Sequence, residues 1–361
     1  MCTADIREEG LLNGNTDFAP QLQSYVEYVS NNGELHWVPY LMLFNRPNYR
    51  SRVLTTDSCG FRSSVTAEGP CSPGGAMPDG PVNIVLGGSI AFGYGASSDA
   101  HTISSRMSQL SPASRSAPAR SRRPWLNLGA PGFNSTQEAL LLLLHRHRMP
   151  EIRDVVVLSG LNNLVIAGLP QPAHGYGEFF FSEQHFRKIQ GNVDPRPRWS
   201  PGRLVDAIRN APASDDTEEQ AGPELDERMD IAAANTAVDL DRIRACVADR
   251  GARIHFVLQP TAPWTRKTYT PEETALFEAM DSEQYNAWEL FKPGFDAAVH
   301  SPYADRLEKV CKERYIPFLD LNSAFSEPEY ADRWLFVDRV HLNDDGNQFA
   351  AEIIMSRLDL S

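Results

Sequence analysis

The stretch VNIVLGGSIAFGYGASSD, residues 82–99, begins as a buried strand and abandons every strand rule within a few residues. Its apolar run of Val82, Ile84, Val85 and Leu86 ends on Gly87, Gly88 and Ser89, with further glycine before a helical pattern. A serine placed there stands at the carboxyl edge of a strand, and glycine tolerates the backbone angles such a turn demands. Its backbone N–H then points at anything bonded to the hydroxyl. A glycine-rich strand-to-helix turn can equally cradle a phosphate. This one matches neither a Walker loop nor the dinucleotide pattern, whose glycine spacing and downstream acid are missing.

Downstream of Leu86 the same alternation repeats. The apolar runs WLNLGA, DVVVLSG, RIHFVLQP and PFLDL are separated by helical patterns. Runs that are apolar on both faces suit a parallel sheet covered by helices on each side. The clearest helix is expected over residues 226–250, where Ala233, Ala237, Leu240, Ile243 and Val247 recur at three- and four-residue steps and Gly251 stands at the C-terminal cap. The last helix starts near Asp344, with Phe349, Ile353 and Leu358 on its apolar face. Residues 1–80 differ in character: aromatic, strand-like segments are punctuated by Asn-Arg-Pro-Asn and Asp-Ser-Cys-Gly, which predicts an N-terminal extension of short strands beside an α/β domain over 81–361.

Two long excursions, about 169–223 and 261–301, follow the third and fourth runs. They belong at the carboxyl edge, where open α/β sheets bind ligands. The first contains GEFFFSEQHF and an acidic stretch; the second contains Trp264, Tyr269, Phe277, Tyr285, Trp288 and Phe291. Both read as lids. The arginine-rich SPASRSAPARSRRPW and HRHRMPEIRD follow helices and precede strands, so they fall at the opposite edge, as solvated surface.

Bulk properties narrow the function. A formal charge of −13 argues against a nucleic-acid surface, which needs a basic stripe. No run approaches the ~20 apolar residues of a membrane span, and the acidic start MCTADIREEG does not read as an export signal. The cysteines, Cys2, Cys59, Cys71, Cys246 and Cys311, are odd in number and lack a CxxC pair, so neither a disulfide framework nor a zinc site is expected. A cytoplasmic protein with reduced thiols is the expectation.

Three further blocks complete a chemistry. After the second run comes NLGAPGFNST, where Gly129 can present an N–H; after the third comes LSGLNNL, where Asn162 offers a side-chain amide. After the fifth comes FVDRVHLNDDG, with Asp338 and His341 three apart before the terminal helix. A serine near its free pKa is a poor nucleophile and needs a base such as His341, whose tautomer and orientation a carboxylate such as Asp338 can set. A tetrahedral intermediate needs donors, available from the N–H groups of Ser89 and Gly129 and the amide of Asn162.

In order and spacing these four blocks resemble the SGNH (GDSL-type) hydrolase family, whose serine, glycine, asparagine and histidine are matched by Ser89, Gly129, Asn162 and His341. The resemblance spans about residues 82–358. It implies a three-layer α/β/α sandwich with a parallel, flavodoxin-like five-stranded sheet. It also implies Ser89 as nucleophile, His341 as base, Asp338 as its orienter, Gly129 and Asn162 as oxyanion donors, and no metal or organic cofactor. Two acids usual in the family are replaced: Gly-Asp-Ser reads Gly87-Gly88-Ser89, and Asn-Asp reads Asn162-Asn163.

The leading expectation is therefore a serine esterase acting on a small-molecule ester, with activity that falls as His341 protonates on acidification. An acyltransferase on the same residues, drawing on acyl-CoA or an acyl carrier protein, is the alternative suggested by the aromatic insertions. A non-catalytic binding module is suggested by the two lost acids.

Overall fold

The computed structural model describes residues 18–30, 35–111, 123–168, 222–248, 251–281 and 291–360. In chain order it contains helix α1 (Gln21–Ser30), a hairpin of β1 (Leu35–Val38) and β2 (Met42–Asn45), and a hairpin of β3 (Ser64–Thr66) and β4 (Gly69–Cys71). Strand β5 (Val82–Gly87), α2 (Ser89–Phe92), α3 (Ile103–Leu110), β6 (Trp125–Gly129), α4 (Ser135–His145), β7 (Ile152–Ser159) and α5 (Leu161–Ile166) follow. The chain continues through α6 (Leu225–Val247), β8 (Arg253–Leu258), α7 (Pro271–Asp281), α8 (Ala297–Glu313), β9 (Phe318–Asp320), α9 (Leu321–Phe325) and α10 (Asp344–Arg357).

The five expected runs pair in parallel in the order β6-β5-β7-β8-β9, the flavodoxin-like arrangement. Every residue of β5 and β6 is buried, as a sheet covered on both faces requires. On one face α4, α6 and α8 pack in succession; on the other α3 packs against α10. The order reverses between β5 and β7, which opens the crevice at their carboxyl ends.

Helix α6 closely matches the expected span. Ala233, Ala237, Leu240, Ile243 and Val247 are all buried, and Gly251 has φ +66. The N-terminal extension joins the main core: Leu41, Phe44 and Phe61 belong to the same apolar cluster as the sheet. A second cluster sets Tyr25, Tyr28, Val53 and Leu54 around Phe92 of α2. Within the insertion at 261–301, Trp264 and Phe277 are buried in the core. Nearly all of the insertion at 169–223, with GEFFFSEQHF, and Tyr285 and Trp288 of the other, lie outside the described residues, as do residues 112–122 of the arginine-rich stretch.

Candidate active site

Strand β5 ends on Gly87, a position that must be glycine because a Cβ there would lie 2.2 Å from the Leu158 carbonyl oxygen and 2.6 Å from the Ala91 side chain. Glycine thus lets β7 and α2 close together. Ser89 opens α2 half-buried, and the turn ends at Gly93 with φ +88. From the far end of the chain, residues 335–342 form a narrow loop, closed by a bridge between Phe336 and Leu342 and by the Val337 N–H donating to the His341 carbonyl at 2.9 Å.

That loop carries the two residues expected to serve Ser89. One oxygen of Asp338 accepts the backbone N–H groups of Val340 and His341 at 2.7 and 2.6 Å. The other lies 2.6 Å from His341 Nδ1, and His341 Nε2 lies 2.7 Å from Ser89 Oγ. An ionised carboxylate only accepts, so Nδ1 carries the proton and Nε2 is left to accept from the hydroxyl. Burial by itself would raise the Asp338 carboxyl. The charge and hydrogen bond of His341, with the two backbone donors, outweigh it and hold the group below the usual carboxylate range. The Tyr94 ring lies against the imidazole, centroids 4.4 Å apart and inclined by 35°.

The donors expected around the serine divide. Among the described residues no acceptor takes the Ser89 N–H, consistent with its place in the first turn of a helix. Asn162 donates one amide hydrogen to the Phe133 carbonyl at 2.7 Å, and the second has no acceptor among the described residues. Gly129 does not present its N–H to this crevice: the N–H donates to Asn127 Oδ1 at 2.9 Å, and a Cβ at position 129 would lie 2.1 Å from the Phe92 nitrogen. Position 129 is glycine because α2 rests on it. Three residues on, Gly132 has φ +77, open space around its Cβ position, and no partner for its N–H among the described residues. Its neighbour Phe133 places a carbonyl oxygen beside both Asn162 and Gly88. The second glycine of NLGAPG was the signal available in the sequence.

Both departures from the family pattern have local causes. A Cβ at Gly88 would approach Asn162 Nδ2 to 2.8 Å, so glycine lets that amide draw close to the nucleophile's turn. Asn163 faces away: its Oδ1 accepts from the Ser135 N–H at 2.9 Å and its Nδ2 donates to Ser135 Oγ and Thr236 Oγ1. The carboxylate of this network comes from α6, where Asp239 accepts from the hydroxyls of Ser135 and Thr136. Asn127, which the sequence reading passed over, also supports the site, its amide donating to the Ala91 and Phe92 carbonyls at the end of α2.

His145, His255 and Asn134 have partners within the fold. His145 packs edge-on against Phe61 at 4.9 Å rather than facing solvent, and burial, with Arg148 and His147 nearby, lowers its pKa. His255 pairs with Asp154 inside the fold. Asn134 caps α4 in a box with Gln137. His174 and His185 lie outside the described residues, among which no cluster of three metal-ligating side chains occurs.

The sequence model of the GDSL-like lipase/acylhydrolase family matches residues 85–349. Similar solved structures include a member of the lipolytic G-D-S-L family from Veillonella parvula, with 11% identity, coverage of 77% of this chain and 97% of that one, and a TM-score of 0.40. An acetyl xylan esterase shows 15% identity over 77% of this chain and 99% of its own, TM-score 0.38, and the M. smegmatis aryl esterase 10% over 79% and 99%, TM-score 0.38. No curated protein matches the chain. The family match covers most of the sequence and every block that meets at the carboxyl edge of the sheet, so the chain belongs to the GDSL-like lipase/acylhydrolase family and is an enzyme of that esterase type.

Proposed function

We propose that the protein hydrolyses a small-molecule carboxylic ester through an acyl-enzyme on Ser89. The observation that carries this reading is the continuous relay from Asp338 Oδ2 to His341 Nδ1 at 2.6 Å and from His341 Nε2 to Ser89 Oγ at 2.7 Å. In acylation, Ser89 Oγ attacks the ester carbonyl while Nε2 takes its proton, and Asp338 stabilises the imidazolium that results. Collapse of the tetrahedral intermediate expels the alkoxide, which takes the proton back from Nε2. Water repeats the sequence on the acyl-enzyme and releases the acid. The Ser89 N–H, the free hydrogen of Asn162 Nδ2 and the Gly132 N–H are the oxyanion donors in this reading, with Gly132 replacing Gly129. Loss of one such donor typically costs ~10²–10³ in turnover.

No specific observation favours transfer to an acceptor other than water. Of the described aromatic residues that suggested a water-excluding cover, Trp264 and Phe277 are buried in the core and Tyr269 and Phe291 are half-buried against it. The binding-module reading also loses its motive, since Gly88 and Asn163 are each explained by contacts that leave the relay intact.

The test is intact mass after incubation with a fluorophosphonate, on wild type and on Ser89→Ala shown by circular dichroism to be folded. Stoichiometric labelling of wild type alone is expected. Labelling of Ser89→Ala, or of neither folded protein, overturns the reading.

A further inference from the structure

We propose that Glu273, on the insertion between β8 and α8, positions the loop that bears Asp338 and His341; the proposal rests on the acyl-enzyme reading above. The Glu273 side chain has no exposed surface. Its Oε1 accepts two consecutive backbone N–H groups, Leu335 at 3.0 Å and Phe336 at 3.2 Å. Its Oε2 accepts the Thr270 N–H at 2.9 Å and the ammonium of Lys267, whose side chain is likewise fully buried.

Leu335 and Phe336 are the stem of the loop. Phe336 bridges Leu342, and the Leu335 carbonyl accepts the Asn343 N–H at 2.9 Å, so the carboxylate holds the strand entering the loop where it pairs with the strand leaving it. The same insertion also reaches the tip: the Ala262 N–H donates to the Arg339 carbonyl at 2.9 Å, and the Arg339 guanidinium lies over the Phe277 ring. The described part of this insertion is therefore a bracket around the Asp338–His341 loop.

The chemistry of the contact fits positioning. A carboxylate can accept several N–H groups at once, and charge-assisted bonds are about twice as strong as neutral ones. A buried carboxylate must itself be paired, which Lys267 does. Buried ion pairs often add little stability over apolar packing of the same volume. A geometric role explains the pair better, because a general base must stand within about 2.6–3.2 Å of its proton and a 1 Å misplacement can cost ~10² in rate.

The experiment compares two double variants that both remove the buried charges. Lys267→Met with Glu273→Gln keeps an oxygen for the Leu335 and Phe336 N–H groups; Lys267→Met with Glu273→Met keeps the side-chain length and removes it. Three readouts are taken on folded protein: 4-nitrophenyl acetate kinetics, the rate of fluorophosphonate labelling, and the downfield proton resonance of the His341 Nδ1–H in its bond to Asp338.

The Met variant is expected to lose about 100-fold in kcat and in labelling rate with KM within about threefold, and to lose or broaden the resonance, while the Gln variant stays within about tenfold of wild type. Equal rates and an intact resonance in the two variants overturn the proposal. If the Met variant does not fold, Glu273→Asp, which withdraws the carboxylate by one methylene, takes its place, and undiminished kcat there overturns it. If wild type itself neither turns over nor labels, the acyl-enzyme reading fails. The resonance then decides the clamp alone: its persistence in the Met variant, or in Glu273→Asp where that stands in, overturns the proposal, and its loss supports it.

Discussion

At Gly129 an added Cβ would press on the Phe92 nitrogen at 2.1 Å, whereas at Gly132 it would meet nothing within 4 Å. The two positions are glycine for different reasons, the first for close packing of α2 on β6 and the second for a left-handed turn with φ +77. Gly129→Ala is expected to cost at least the ~3 kcal/mol of severe overpacking. Gly132→Ala should cost only the ~1–2 kcal/mol of a left-handed non-glycine residue, and lower kcat by shifting its N–H. Chemical denaturation of both variants, with turnover of the second, checks the pair. A Gly129→Ala protein as stable as wild type would show that α2 does not rest on that position. Sequence reading chose the first glycine because it ends an apolar run; only the partner of each N–H distinguishes the two.

Helix α4 carries a carboxyl group that the sequence pattern conceals among leucines. Glu138 is fully buried, with Oε1 accepting from Ser159 Oγ at 2.8 Å and Oε2 lacking a partner among the described residues. Burial, with Asp239 nearby, pushes its pKa up to about 8 against the pull of the Ser159 hydrogen bond. Between the ordinary glutamate value of ~4.3 and about 8, the folded state keeps this proton and the unfolded state has lost it. Stability from this group therefore falls as pH rises, by ~1.4 kcal/mol per pH unit across that window. Glu138→Gln does not titrate, so urea denaturation should show its advantage over wild type growing from near pH 5 to near pH 8. A constant difference between the two proteins would mean that Glu138 is not buried as a neutral acid.

Across the whole molecule, one guanidinium joins the N-terminal extension to the turn that carries Ser89. Arg62 is fully buried and donates to the Gly93 carbonyl at 2.8 Å, the Tyr25 hydroxyl at 2.9 Å, the Val53 carbonyl at 2.8 Å and Asp99 at 2.8 Å. Its partners come from the extension and from the segment that follows α2. We propose that the extension folds with the α/β core as one cooperative unit. Calorimetry should show one transition, and Arg62→Met should lower its Tm without splitting it, since removing one partner of a buried charge pair typically costs ~3–5 kcal/mol. Two resolved transitions in wild type would refute a single unit.

Much of this molecule was legible in the chain itself. All five sheet strands appear as apolar runs because a parallel sheet covered on both faces buries nearly every side chain, and the few polar ones it holds, such as Asn127, Asp154 and His255, are hydrogen-bonded. Ser89, Asn162, Asp338 and His341 were legible because each follows such a run at a turn, and the carboxyl edge gathers those turns into one crevice. What the chain could not state was the partner of each polar group. The Gly129 N–H is taken by Asn127, the stem of the histidine loop is held by Glu273 from 62 residues upstream, and Arg62 reaches the nucleophile's turn from 31 residues before it. Apolar burial leaves a periodic record because it repeats along every strand and helix. A single hydrogen bond between distant segments leaves none, and its donor and acceptor are decided only when tertiary packing brings them together.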